Sequence, residues 1–113
     1  MQFKIVAQVK RWIKGEKREE CCFSAVNAEE ARKLALERFH RAFHRARLII
    51  LYQLLNRPPK NFFERVYPVE KVWHWDLSTG WCRDIPGHSI PLAEAPDEAS
   101  DEALLQTLLS RLT

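Results

Sequence analysis

Two stretches of alternating apolar and polar residues, joined around a glycine, fix how this chain begins. Phe3, Ile5, Ala7 and Val9 alternate with Lys4, Gln8 and Lys10, the period-two pattern of a strand with one buried face. Gly15, set among Lys14, Glu16, Lys17 and Arg18, marks a turn. Cys21, Phe23 and Ala25 then restore the alternation over residues 19–26, so the first 26 residues predict a β-hairpin.

Asn27 follows, with Glu30 three residues on. An Asn oxygen can take an orphan amide of a helix start while the Glu reaches back, and acidic Glu29 and Glu30 suit the positive helix end. A helix is predicted from Ala28 to about Ala46, with Ala28, Ala31, Ala35, Phe39, Ala42, Phe43 and Ala46 in one stripe. Residues 48–55 fit either an extension of that helix or a strand. The β-branched pair Ile49 and Ile50 favours a strand, which would be the third of the sheet. Arg57-Pro58-Pro59 ends the element either way.

The order of elements over Phe23–Leu55, under a third of the chain, resembles the small archaeal large-subunit ribosomal protein LX. That family also runs from a strand ending in an Ala-x-Asn-Glu-like cap into a helix, then through basic residues into an Ile-rich strand. The resemblance implies an RNA partner. The Gly-Ser that LX-type chains carry after the helix is absent here.

Farther on, Val66, Val72, Trp73, Trp75 and Leu77 alternate toward Ser78-Thr79-Gly80, which reads as a three-residue hairpin loop. That loop would set Leu77 opposite Trp81, Trp75 opposite Arg83 as a cation–π pair, and Asp76 opposite Cys82. Residues 86–96 read as an irregular linker. Ser100 caps a last helix with Asp101 and Glu102 in its first turn and a stripe of Leu104, Leu105, Leu108, Leu109 and Leu112. The expected class is α+β: a small antiparallel sheet made of the N-terminal hairpin, a third strand and a Trp-rich second hairpin. One helix packs on it. Residues 1–96 form the domain and residues 97–113 an amphipathic helix packed on the same domain.

Charge is unevenly spread. Residues 1–50 carry 12 Lys and Arg against 6 Asp and Glu, whereas residues 51–113 carry 6 against 9. A basic half suits an anionic partner, nucleic acid or an acidic protein surface, and equally suits its own acidic half within the fold or in a homodimer. Cys21, Cys22 and Cys82 make an odd set with no export signal ahead of them, which points to reduced thiols in a cytoplasmic protein. No apolar run approaches membrane-spanning length, so no membrane partner is expected.

The densest cationic segment is the tandem repeat Phe-His-Arg-Ala at residues 39–46. Arg38, Arg41, Arg45 and Arg47 crowd ten residues that hold no acid. Guanidinium groups grip phosphate through a planar fork, and a row of them can follow a nucleic-acid backbone. Lys10, Arg11, Lys14, Lys17 and Arg18 on the hairpin would extend the patch, with Trp12 as a surface on which bases stack. The leading expectation is a small non-catalytic nucleic-acid-binding protein without cofactor or metal. The alternative is a protein-binding accessory or inhibitor of the size common in mobile elements and phages. It would act through Trp12, Trp73, Trp75 and Trp81, or through Leu105 and Leu109.

Two further chemistries weigh less. His40 and His44 stand at helical ligand spacing, but vicinal Cys21 and Cys22 alternate faces on a strand and do not complete a zinc set. His74, Asp76, Cys82 and Asp84 share a strand face, yet no Gly-rich nucleophile turn accompanies them.

Overall fold

The N-terminal hairpin is present in the computed structural model of the chain, which describes residues 1–11, 15–38, 46–92 and 99–112, at 9–11, 15–17, 46, 47 and 112 by the backbone alone. Strand β1 (Gln2–Arg11) pairs antiparallel with β2 (Gly15–Ser24), from Gln2 opposite Ser24 to Arg11 opposite Gly15. Helix α1 (Ala28–Arg38) begins at the expected cap. Asn27 Oδ1 accepts the Glu30 amide at 2.8 Å, and the Glu30 carboxylate reaches back to the Val26 amide at 2.9 Å, one residue before the cap itself.

Strand β3 (Ala46–Leu54) lies against β1, with Ala46 opposite Val9 and Leu51 opposite Ile5. The strand reading of residues 48–55 is therefore the right one. The helix predicted to run to Ala46 is corrected at that end, because Ala46 is already held in the sheet by β1. Residues 39–45, most of the tandem repeat, lie outside the described residues.

Strands β4 (Val69–Asp76) and β5 (Gly80–Ile85) make the second hairpin in a register two residues away from the expected one. Asp76 faces Gly80, Trp75 faces Trp81 and Trp73 faces Arg83, so the loop is Leu77-Ser78-Thr79. The cause is local. The Asp76 carboxylate accepts the amides of Ser78 (2.7 Å) and Thr79 (3.1 Å), which starts the turn at Asp76 and holds that carboxyl below its ordinary pKa. Gly80, at φ +80°, takes the left-handed step back into the strand. A shift of two keeps every side chain on its expected face. Leu77 alone leaves the strand and is 86% exposed.

The segment read as an irregular linker contains strand β6 (His88–Pro91), reached through a Pro86-Gly87 turn in which Gly87 has φ +79°. All neighbours are antiparallel, and the sheet order is β2-β1-β3-β4-β5-β6. Among the described residues this six-stranded antiparallel sheet with three helices fits the α+β class.

One face of the sheet carries the core. Phe3, Ile5, Ala7, Phe23, Ile49, Leu51, Trp73 and Trp81 pack under Ala28, Ala31 and Ala35 of α1. The small side chains let the helix approach closely. Helix α3 (Asp101–Leu112) starts at Ser100, whose Oγ accepts the Ala103 amide at 3.1 Å. Its Leu104 and Leu108 pack on Ile85 and Ile90, which lie on the same sheet face as Trp81. Both long helices thus cover one face.

A short helix, α2 (Phe62–Val66), interrupts the β3–β4 connection, where no element was expected. Asn61 caps it, accepting the Glu64 amide at 2.9 Å. Glu64 receives two Arg57 guanidinium N–H groups, at 2.8 Å each, and the Lys60 amide at 2.8 Å. These donors, Arg57 first, hold the Glu64 carboxyl near a pKa of about 2, against 4.5 ordinarily. A pKa lowered by folding contributes stability above the unfolded value and loses it as pH falls toward the folded one. Amide chemical shifts of Lys60 and Glu64 are therefore expected to hold down to about pH 3 and to move around pH 2. A Glu64→Gln variant should show the displaced shifts already at neutral pH. Movement centred near pH 4.5 in the wild type would show that the clamp does not form.

Candidate nucleic-acid interface

The basic segments of the sequence meet at one end of the sheet. The chain leaves β1 at Arg11 and re-enters at Gly15 directly opposite, while β3 is entered at Ala46 opposite Val9. Lys10, Arg11 and Lys17 at the hairpin end thus neighbour Arg47 at the start of β3 in the backbone register. Trp12, Lys14, Arg41 and Arg45, together with His40 and His44, lie outside the described residues. Strand order follows chain order apart from the exchange of β1 and β2. The basic N-terminal half therefore occupies one side of the sheet and the acidic half the other.

Two of the expected phosphate ligands have partners of their own. Arg18 pairs with Glu20 at 2.8 Å across exposed β2, a solvated contact worth little. Arg38, at the last turn of α1, lays its guanidinium 5.5 Å from the Phe23 ring centre and 4.0 Å from Cys21 Sγ. It stays exposed, but Phe23 pairs with Phe3 near the start of β1, so this guanidinium stands away from the basic end.

Trp73 and Trp81 sit elsewhere than a partner surface would need. Trp73 is fully buried and Trp81 nearly so, both in the core under α1. Trp75 is half-buried on that same face, edge-on to Trp81 at 5.5 Å. The expected stacking of Arg83 on Trp75 is replaced by Arg83 over Trp73, at 5.4 Å, as the shifted register requires. Leu105 and Leu109 do lie on the outward side of α3.

Among the described residues no helix lies over the second sheet face. By register it carries Lys4, Val6 and Gln8 from β1, Leu48, Ile50 and Tyr52 from β3, and Val72 and His74 from β4, with Val6 itself buried among its neighbours. Cys82 and Asp84 continue it on β5. Lys4 Nζ stands 5.5 Å from the Tyr52 ring centre. Tyr67, beyond α2, meets Tyr52 edge-on at 6.2 Å, and burial pushes its phenol pKa up. Leu48, Ile50, Tyr52 and Tyr67 were not singled out as a surface from sequence, although the apolar run of residues 48–52 was the available signal.

His74 and Asp84 do come together, with Nδ1 to Oδ1 at 2.7 Å. Ser89 Oγ donates to the same carboxylate oxygen at 2.7 Å. The carboxylate lies between hydroxyl and imidazole, so the imidazole takes no proton from Ser89 in this arrangement. Cys82 stands across from His74 but is buried, with Sγ 3.3 Å from Thr79 Oγ1 and 3.8 Å from the Gly80 carbonyl. What the array does is fix the imidazole on the open face. Among the described residues no group of three or more His, Cys, Asp or Glu is placed to hold a metal ion. None of the described helices is long and apolar enough to cross a membrane.

No family model, curated protein or solved structure matches the chain.

Proposed function

We propose that the protein is a non-catalytic nucleic-acid-binding protein that grips the phosphate backbone with the basic end of its sheet. The observation that supports this reading is the register of β1, β2 and β3, which brings the ends of two separate cationic segments to one edge. Lys10 to Arg18 arrives from one side and the run that ends in Arg47 from the other. Each run alone is what a solvated helix end or turn carries. Joined, they offer up to eight Lys and Arg to a polyanion: Lys10, Arg11, Lys14, Lys17, Arg18, Arg41, Arg45 and Arg47, with Arg38 set apart beside Phe23. Contacts of this kind position a protein on a backbone without reading its sequence.

The test is a double charge reversal, Arg41→Glu with Arg45→Glu, assayed against labelled single-stranded RNA and duplex DNA at low salt. The expected result is an unchanged circular dichroism spectrum and at least about a tenfold loss of affinity. Full retention of binding would remove this end of the sheet from the site.

A further inference from the structure

Strand β3 is composed as a strand covered on both faces, and the described helices cover one. Ile49 and Leu51 pack under the helices. Leu48, Ile50 and Tyr52 point the other way, where Leu48 is 39% exposed and the other two are partly so. Sheets with one wet face normally alternate apolar and polar residues, whereas continuous apolar strands belong to sheets buried on both sides. The apolar stripe does not stop at the sheet. Through the Tyr52–Tyr67 contact it reaches α2, where Phe63 packs on Tyr67 and is itself 69% exposed.

We propose that this face is the interface of a homodimer, two copies packed sheet to sheet about a two-fold axis that runs along the strands. Charge selects both the occupant and the axis. On the β2–β1 side the described face carries Lys4 and Arg18 against Glu20. On the β4–β5 side it carries Asp76 and Asp84 against His74, which is bonded to Asp84. An axis along the strands lays each copy's β2–β1 side over the partner's β4–β5 side, so unlike charges meet around a central apolar stripe. An axis across the strands would set like over like. The resulting isologous contact is an aligned sheet sandwich.

The size is adequate. Six strands about 4.8 Å apart, with about six residues each at about 3.3 Å, make a face of about 500 Å² per copy, or about 1,000 Å² for the pair. An axis along the strands also keeps equivalent strand ends together. The basic ends of the two copies then lie side by side, a consequence that rests on the function proposed above, whereas the dimer itself does not.

The experiment is sedimentation equilibrium of the full chain without nucleic acid, beside Ile50→Asp and Leu48→Asp variants checked by circular dichroism. The expected wild-type mass is twice 13.3 kDa at micromolar concentration. Each variant is expected to weaken the dimer at least about a hundredfold, since a carboxylate would be buried unpaired. Leu48, at the more exposed end of the strand, keeps the test valid if the Ile50 variant misfolds. A monomeric wild type, or a dimer that survives in both variants, overturns the proposal. So does a monomer whose Leu48 or Ile50 variant loses RNA or DNA binding, which would give the face to nucleic acid instead.

Discussion

Replacing Trp73 with alanine is expected to cost about 3–5 kcal/mol, enough to bring the domain to the edge of unfolding. Trp73 is fully buried on central strand β4, at the centre of the core cluster. Its ring lies between two cations, with the Arg32 guanidinium carbon 5.9 Å from its centre and that of Arg83 at 5.4 Å. Truncation removes the ring, opens a cavity beneath α1, and takes the aromatic face away from both arginines. In a domain of this size each kcal/mol moves the melting temperature by about 4 °C or more, so a fall of at least about 12 °C should be seen by circular dichroism. The indole N–H has no hydrogen-bond partner among the described residues, so Trp73→Phe gives up volume and no hydrogen bond. It is expected to cost less than half as much. Equal losses for the two variants would mean that a polar contact of the indole carries the effect.

The second large effect concerns how α3 is attached. Arg83 is 1% exposed and donates from Nη2 to the Asp101 carboxylate in the first turn of α3. Its Nε and Nη1 have no partner among the described residues. Removing Asp101 strands a buried guanidinium, which is far costlier than losing a surface pair. Asp101→Ala is expected to destabilise the protein by about 2–3 kcal/mol, below the full range for buried pairs because the carboxylate itself is partly in solvent. Arg83→Met keeps length and apolar packing without the charge, and is expected to be nearly neutral. In that background Asp101→Ala should cost little more than the loss of a favourable first-turn charge, under about 1 kcal/mol. Equal costs in both backgrounds would show that the ion pair does not fasten the helix.

What the sequence made legible was the local code. The alternation of Phe3 to Val9 and of Cys21 to Ala25 specified β1 and β2 with their inward faces. The Asn27–Glu30 and Ser100 caps marked the starts of α1 and α3 to the residue. The turn chemistry of Asp76 was harder to read. Ser78-Thr79-Gly80 and Leu77-Ser78-Thr79 both satisfy a hairpin of this length, and only the carboxylate's grip on two amides decides between them. Ile90 was lost in a proline-rich stretch, where the Pro86-Gly87 turn was the overlooked sign of a strand to follow. Helix α2 was missed although Asn61 and Glu64 repeat the spacing of Asn27 and Glu30.

The site divides in the same way. That residues 10–18 and 38–47 are both basic is plain from composition. That they end at one edge depends on β3 pairing with β1 rather than with β2, a long-range choice with no local signature. The tryptophans misled for the opposite reason. Their number suggested surplus apolar surface, but a six-stranded sheet under a helix of small residues has room to bury Trp73 and Trp81.

The account turns on the basic end of the sheet, and a salt titration tests it most directly. Binding of labelled RNA and duplex DNA is measured from low to moderate salt for the wild type and for the Arg41→Glu, Arg45→Glu double variant. If four to six of the candidate cations meet phosphates, log K should fall against log salt with a slope of about −4 to −5 on duplex DNA and about −3 to −4 on single strands. The double variant should flatten that slope by about two. A slope near zero, a slope identical in the two proteins, or no binding to either polyanion at low salt would contradict the account.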